Sequence, residues 1–116
     1  MDHKNLEAWK QSMFLVEQVY KISASLPRQE TYGLTSQMRR AAVSIPSNLS
    51  EGAARNGSRE YVNFLGISLG SLAELETQLI IASRLDYADT SELMVTLNHV
   101  RSLLVGLRNH VQSRAP

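Results

Sequence analysis

The residues best suited to bind a charged ligand are arginines in the middle of the chain. Between residues 28 and 59 there are five arginines and only two glutamates, so this segment carries a charge of +3. The rest of the chain carries −2, from seven basic and nine acidic residues. Because guanidinium groups neutralise phosphates, Arg39, Arg40, Arg55 and Arg59 are the candidate residues for a nucleic-acid-binding strip.

The same arginines also have structural explanations, which the sequence leaves open. Arg55 follows Glu51 by four positions, the spacing and order that favour an ion pair on a helix. Arg39 and Arg40 have no acidic residue three or four positions away. A hairpin between neighbouring helices would place Glu74 opposite Arg39, so an interhelical ion pair competes with a nucleic-acid ligand. The isoelectric point of about 8.1 predicts weak, salt-dependent binding by one subunit, since dedicated nucleic-acid-binding domains usually exceed about 9.

Other kinds of chemistry lack the residues that they need. Carboxylate-bridged metal bundles use a glutamate three residues before a histidine, and neither His99 nor His110 has one. The chain has no cysteine, which excludes a thiolate metal site, a thiol nucleophile and a disulfide framework. Gly52 and Gly57 have the spacing of a phosphate loop, but Ser-Arg follows them instead of Lys-Ser or Lys-Thr. We predict no catalytic residue, no metal site and no cofactor.

Four segments with helical apolar spacing must position the arginines. The first predicts a helix that Pro27 ends, because proline disfavours helical backbone at the residue before it. Its apolar residues form two adjacent stripes, which are wider than a single partner helix would cover. The first stripe is Leu6, Trp9, Met13, Val16 and Tyr20, and the second is Leu15, Val19, Ile22 and Leu26.

The second segment contains a proline, which allows either a broken helix or a kinked one. Pro46 removes one backbone hydrogen bond and clashes with the carbonyl four residues earlier, at a cost of about 3 kcal/mol in an isolated helix. The apolar spacing nevertheless keeps its phase across the proline. We therefore predict one helix over about 34–55, kinked at Pro46. The hydroxyl groups of Ser44 and Ser47 are expected to bond the loosened carbonyls.

The third segment begins after a short turn. Gly57 is free to take a positive φ in that turn, and Ser58 is placed to cap the following helix. This third helix is the longest. Two glycines inside it, Gly66 and Gly70, cost about 1 kcal/mol each relative to alanine. Glycines at that cost indicate a place where another backbone approaches closely.

Short connections between helices favour neighbours that run in opposite directions. The prediction is an all-α fold, an antiparallel up-down-up-down four-helix bundle that forms one domain over residues 1–116. The run from Asp89 to Glu92 resembles a capping box at the start of the fourth helix. The sequence shows no strand pattern, signal peptide or membrane-spanning run, and we expect a cytoplasmic protein without membrane contact.

The helices carry more apolar surface than one small bundle needs. The two stripes of the first helix are one sign of this surplus. Phe64, Ile67 and Ile81 are another, because they lie outside the main apolar stripe of the third helix. Wide apolar faces are typical of interfaces, so we predict that the chain assembles with copies of itself. A broad core within a single subunit is the alternative.

Several short stretches of sequence form a recognisable set. They are Leu6-Glu7-Ala8-Trp9, Tyr32 to Ala41, Ser44 to Gly52, Phe64-Leu65, Gly70-Ser71 and Glu74. As a set they resemble the bacterial four-helix-bundle proteins encoded by intervening sequences in large-subunit ribosomal RNA genes, and the stretch from Gln37 to Gly52 is the most specific part. More distantly, the chain is similar to the accessory variability proteins of diversity-generating retroelements.

The resemblance implies a ring-shaped homopentamer and, for the retroelement relatives, binding of nucleic acid and of a reverse transcriptase. The family pattern rests on Gln37, Arg39, Arg40, Ser44, Pro46, Asn48, Glu51, Gly52 and Glu74. We therefore predict a non-catalytic, homo-oligomeric binding scaffold whose partners are copies of itself and RNA or DNA. The alternative is a structural or protein-partner module that binds no nucleic acid.

Overall fold

The computed structural model describes residues 3–114, and helices account for most of them. Short 3-10 turns precede the first two long helices, and no strand occurs within the described range. The all-α four-helix prediction is therefore confirmed. The four long helices are α1 (Glu7–Ser23), α2 (Leu34–Ala54), α3 (Ser58–Arg84) and α4 (Ser91–Ser113).

The four helices pack as a bundle in which each helix touches two others. α2 and α3 share the most extensive contact, α1 packs on α2 and α4, and α4 packs on α3, whereas the pairs α1–α3 and α2–α4 do not meet within residues 3–114. In the α2–α3 pair, Ser44 lies against Ser71, and Gly52 lies against Tyr61, so these two helices run in opposite directions. The full up-down-up-down order stays a prediction.

The core is made mostly of leucines from all four helices. Helices α2, α3 and α4 each bury one stripe of apolar residues with helical spacing. Ten large side chains are fully enclosed between the helices: Leu15, Met38, Ile45, Leu49, Leu65, Leu72, Leu75, Leu79, Leu97 and Leu104.

Helix α1 buries the second of its two predicted stripes rather than the first. Leu15 and Val19 are completely buried, together with the small residue Ala8. The first stripe lies at the margin of the core, where Met13 is 38% exposed and Tyr20 is 44% exposed. The subunit alone therefore leaves part of the α1 apolar surface uncovered.

Helix α2 continues through its proline, as the unbroken apolar phase predicted. Pro46 is buried inside the helix. The carbonyls around it gain side-chain donors: Asn48 Nδ2 donates to the Ser44 carbonyl at 2.8 Å, and Ser68 Oγ of α3 donates to the Ile45 carbonyl at 2.8 Å. Ser50 Oγ donates to the carbonyl of Pro46 itself at 2.9 Å. A kink at Pro46 stays a prediction.

These donors are not the ones that the sequence suggested. Ser47 is exposed and makes no such bond, and the Ser44 hydroxyl is engaged by α3 instead. Asn48, which lies one helical turn after Ser44, instead adds a donor to the Ser44 carbonyl, because its amide reaches back along the helix.

The helix ends differ from the predicted caps by one to three residues. α1 ends at Ser23, since the chain tightens into a turn that brings Leu26 into the core. Gly57 has an extended φ of −137°, and Ser58 is the first residue of α3 rather than its cap. At α4, Asp89 Oδ1 accepts from the backbone and hydroxyl of Ser91, so the loop carboxylate acts just before the helix.

Among the described residues, one helix is long and apolar enough to cross a membrane by length and composition. It is α3, and a third of its most apolar stretch is buried inside the bundle. Because one face of α3 packs against α2 and α4, its apolar character also has an explanation within the bundle.

Candidate binding cleft between helices α2 and α3

Arg39 is occupied by the end of helix α1. Its Nε donates to Ser23 Oγ at 2.8 Å, and its Nη2 lies 3.5 Å from the Tyr20 carbonyl oxygen. The guanidinium carbon also lies 4.7 Å from the centroid of the Tyr20 ring. The partial negative charge at the carbonyl end of a helix favours a cation there. Among the described residues Arg39 makes no ion pair with Glu74, so the predicted pairing is wrong.

Arg55 is also held within the subunit. Its Nη2 lies 2.8 Å from Glu51 Oε1, which confirms the predicted ion pair on the helix. Its guanidinium carbon lies 5.0 Å from the centroid of the Phe64 ring on α3. An exposed pair of this kind adds little stability, but it reduces the positive charge that Arg55 presents to a ligand.

Arg40 and Arg59 are exposed and have no charged partner within residues 3–114. They do not lie side by side. Arg40 lies at the level of Glu74 on α3, and fifteen residues of α3 separate Arg59 from Glu74, which at about 1.5 Å per residue is roughly 22 Å. The four predicted arginines therefore do not form one compact strip on a single subunit.

A cleft between α2 and α3 brings together several members of the predicted set. Its volume is about 510 Å³, and it is lined by Gln37, Arg40, Glu74, Thr77, Gln78 and Ile81. Arg40 and Glu74 are both exposed and make no ion pair with each other. The cleft therefore holds one cation and one carboxylate that no direct ion pair joins.

Gln78 is the one buried residue among those that line the cleft. The residue is only 6% exposed, and its Oε1 is buried without a hydrogen-bond partner. A buried amide oxygen without a donor costs about 1–3 kcal/mol. Nothing in the sequence singled out Gln78 or Thr77. The only available signal is their spacing of three and four residues from Glu74, which places all three on one side of α3.

The other residues of the family pattern serve helix packing. Ser44 Oγ is 2.8 Å from Ser71 Oγ of α3 and 2.9 Å from Asn48 Nδ2, so these three side chains form a polar bridge between helices. A Cβ atom on Gly52 would lie 2.8 Å from the Phe64 Cβ atom. The glycine thus permits the close contact of α2 with α3. Together with buried Pro46, these residues hold the helix pair rather than a ligand.

The bundle end near the α1–α2 connection contains a second polar cluster. Glu30 Oε1 accepts from the Leu34 backbone N–H at 3.1 Å and so caps α2, and Glu30 Oε2 accepts from the Tyr87 hydroxyl at 3.1 Å. That hydrogen bond to Glu30 raises the pKa of Tyr87 above its ordinary value. Both carboxylate oxygens have structural partners, so this cluster ties two loops together.

Two further polar groups are perturbed without forming a site. The Tyr61 hydroxyl is buried with no partner, and burial raises the pKa of Tyr61. Hydrogen bonds from Ser91 lower the pKa of Asp89. Within the described residues no group of three or more histidine, aspartate or glutamate side chains is placed to hold a metal ion.

The outward face of α3 between Asn63 and Ala73 is free of charge. Its exposed positions are Asn63, Gly66, Ile67, Gly70 and Ala73. Ile67 is 45% exposed. A Cβ atom built on Gly66 or Gly70 would meet nothing within 4 Å. The close approach predicted at these glycines therefore does not occur inside the subunit.

A second apolar surface lies on the α1–α2 side of the bundle. It is a groove of about 260 Å³ that includes Trp9, Met13, Val43 and Pro46. Phe14, which follows Met13, is 48% exposed. Since α1 and α3 are not neighbouring helices in the bundle, this surface and the outward face of α3 belong to different sides of the subunit.

A family model described as 23S rRNA-intervening sequence protein matches residues 4–108. No curated protein matches. Among solved structures, the chain is similar to a crystal structure, at 1.70 Å resolution, of a protein with unknown function from the S23 ribosomal protein family of Bacteroides thetaiotaomicron VPI-5482. The identity is 18%, the match covers 94% of this chain and 99% of that chain, and the TM-score is 0.79, which shows a shared fold.

Proposed function

The chain belongs to the 23S rRNA-intervening sequence protein family, and on that premise we propose that it is a non-catalytic scaffold that assembles from copies of itself and binds nucleic acid. The homopentameric ring implied by the sequence resemblance is the assembly that we propose, and a cytoplasmic location is part of the proposal. The observation that carries it is the outward face of α3.

That face combines three properties that favour a second copy of the chain. Between Asn63 and Ala73 it exposes Ile67, has no charged residue at its exposed positions, and carries two glycines with open space beside them. Each glycine costs about 1 kcal/mol relative to alanine in an exposed helix. Nothing within the subunit offsets this cost. The glycines would, however, let the backbone of another copy approach α3 closely.

The placement of the apolar surfaces favours a ring over a two-fold dimer. A two-fold interface joins the same patch on both subunits, whereas a ring joins two different patches. The groove beside Trp9 and the outward face of α3 are two different patches on different sides of the bundle. Each subunit would then offer its α3 face to the α1–α2 groove of its neighbour.

Nucleic-acid binding is supported by Arg40 and Arg59, whose charges no acidic side chain in the described range neutralises. Two arginines on one subunit give weak binding, because affinity depends on the number of phosphates neutralised. A ring would multiply them by the number of subunits, and linked sites raise the overall affinity without any new contact.

A structural or protein-partner module without nucleic-acid binding is the second candidate. The observation in its favour is that Arg39 and Arg55 are held by groups of the same subunit. The positive charge available to a ligand is therefore smaller than the sequence indicates.

The experiment compares two double variants of equal charge. Arg40→Glu with Arg59→Glu removes the free arginines, and Lys10→Glu with Arg84→Glu is the matched control at exposed positions elsewhere. We expect the wild type and the control to retain labelled single-stranded RNA or DNA at about 50 mM salt, and the first variant to lose it. Retention should also fall steeply with salt.

The outcomes separate the two candidates. Retention by the wild type and by the control, but not by the Arg40 and Arg59 variant, supports a nucleic-acid scaffold. A wild type that retains no oligonucleotide at low salt supports the second candidate. Equal retention by all three proteins would show that Arg40 and Arg59 do not contribute to nucleic-acid binding. Light scattering on each variant verifies that assembly is unchanged.

A further inference from the structure

We propose that the α2–α3 cleft binds a guanine base of a single-stranded nucleic acid. The cleft is the one formed by Gln37, Arg40, Glu74, Thr77, Gln78 and Ile81. The inference rests on the proposed function and adds to it a base preference and a set of residues that read the base. It assigns Arg40 to the base, and Arg59 remains a phosphate contact.

The cleft offers opposite charges that the subunit leaves unpaired. Arg40 and Glu74 come from different helices, and within residues 3–114 neither has an ion-pair partner. A purely anionic ligand would be repelled by the Glu74 carboxylate, and a purely cationic ligand would be repelled by the Arg40 guanidinium. A suitable ligand therefore presents hydrogen-bond acceptors on one edge and donors on another.

Among the bases, guanine has that arrangement of edges. Its O6 and N7 atoms accept two hydrogen bonds, which a guanidinium group donates in a bidentate manner. Its N1–H and N2 amino groups are donors, and a carboxylate accepts both. Adenine has a donor where guanine has O6, so it cannot accept the second bond from Arg40. Uracil lacks the exocyclic amino group that Glu74 would bind.

Gln78 is a further polar side chain in the lining, and rotation of its side chain would let it reach a base. It lines the cleft and is only 6% exposed, and its amide oxygen has no hydrogen-bond donor. Rotation of the amide exchanges its oxygen and nitrogen ends, so the group can present either an acceptor or a donor. Gln37 offers a second side-chain amide at the edge of the cleft. Bases carry both hydrogen-bond donors and acceptors, so they can pair with either end of these amides.

The remaining lining residues suit a flat heterocycle. Ile81 is 42% exposed and gives apolar surface on which a base face can rest. The Thr77 hydroxyl donates to the Ala73 carbonyl at 3.1 Å and keeps its lone pairs free to accept. Bases of single strands can leave their neighbours and be read on both edges, which a paired base in a duplex does not permit.

The first experiment measures binding of labelled ten-nucleotide oligouridine strands by fluorescence anisotropy. Each strand carries one central G, A, C, 7-deazaguanine or inosine, in RNA and DNA forms. We expect the G strand to bind about tenfold more tightly than the A or C strand. 7-Deazaguanine, which lacks N7, and inosine, which lacks the N2 amino group, should each lose most of that gain.

Variants assign each edge of the base to a residue. In Arg40→Ala, replacing G by 7-deazaguanine should no longer change the affinity. In Glu74→Ala, replacing G by inosine should no longer change it. Both positions are exposed, so the variants are expected to fold, which circular dichroism checks. Arg84→Ala and Glu17→Ala are matched controls outside the cleft and should keep the full preference for G.

A second measurement tests the cleft without a nucleic-acid strand. Guanosine monophosphate is added to ¹⁵N-labelled protein, and the side-chain amide resonances of Gln37 and Gln78 are followed by NMR. We expect guanosine monophosphate to shift them and cytidine monophosphate to leave them in place. Comparison of RNA with DNA strands tells whether the sugar hydroxyl contributes.

The outcomes distinguish failure of this inference from failure of the proposed function. If all strands bind the wild type alike and with strong salt dependence, the guanine cleft is wrong and the scaffold remains. If no strand binds at about 50 mM salt, nucleic-acid binding is wrong, and the amide resonances decide the cleft. Shifts with guanosine monophosphate alone support it, and equal or absent shifts with both nucleotides overturn it.

Discussion

Gly52→Ala tests whether the glycine of the family pattern is required by the contact between α2 and α3. The added Cβ atom would lie 2.8 Å from Phe64 Cβ and 3.3 Å from the Tyr61 carbonyl oxygen. The Tyr61 oxygen is a backbone atom of α3, and the Phe64 Cβ atom is bonded directly to that backbone. A side-chain rotation therefore cannot relieve the contact. The two helices would have to separate along their most extensive interface.

Two opposing effects set the size of the change. Alanine is favoured over glycine in a helix interior by about 1 kcal/mol. Overpacking of a tightly packed contact costs about 1–3 kcal/mol, and the 2.8 Å contact places this substitution in the upper part of that range. We expect the free energy of unfolding to fall by about 1–2 kcal/mol for Gly52→Ala.

The assay is urea unfolding followed by circular dichroism, at several protein concentrations because assembly and folding are linked. Gly106→Ala is the matched control, since a Cβ atom there meets nothing within 4 Å. We expect the control to gain up to about 1 kcal/mol. If Gly52→Ala is as stable as the control, the close contact does not constrain this position and the reasoning is wrong.

Two other predictions concern polar groups of the subunit. Arg39→Met should lower the free energy of unfolding by about 1 kcal/mol, because Ser23 and the carbonyl end of α1 lose a charged donor; an unchanged urea midpoint would contradict this role. Tyr61→Phe removes a buried hydroxyl without a partner, so at neutral pH it should be neutral or stabilising by up to about 1 kcal/mol. Since burial raises the pKa of Tyr61 above 10.0, folding favours the neutral phenol. That stability is present below pH 10 and is lost as the pH rises beyond it, so Tyr61→Phe should be the less sensitive protein in alkaline unfolding curves. Equal alkaline sensitivity of both proteins would refute this effect.

Much of the fold follows from apolar periodicity, and the exception in α1 has a clear cause. In α2, α3 and α4 one stripe dominates, so its direction defines the buried face. In α1 two stripes have the same period. Periodicity gives the angle of each stripe but not which one faces the core. The structure buries the stripe beside the small residues Ala8 and Ser12, which let α1 approach its neighbours.

The environments of the arginines were only partly readable from the sequence. The Arg55–Glu51 pair depends on a spacing of four residues and was predictable. The partners of Arg39 are a backbone carbonyl and a serine hydroxyl on a distant helix, and backbone groups carry no residue-specific signal. The interhelical ion pair that does form, Arg101 with Glu76 at 2.7 Å, depends on the register of α3 against α4.

Only some of the residues that line the cleft could be predicted from the sequence. Gln37, Arg40 and Glu74 stood out through the family resemblance, but their meeting in one cleft depends on the packing of α2 on α3. Gln78 gave no signal, because a glutamine at a core position of a helix is identified as unsatisfied only when its neighbours are known.

The molar mass of the purified protein, measured by light scattering for the wild type and for Gly70→Gln, tests the central claim most directly. A Cβ atom at Gly70 meets nothing within the subunit, so the variant should fold normally and change only contacts with another copy. The account predicts a wild-type mass of several times 12.9 kDa, five times for the proposed ring, and a clearly lower mass for the variant. A wild type that stays at 12.9 kDa at micromolar concentration would contradict self-assembly, and a variant that keeps the wild-type mass would contradict the role of the α3 face.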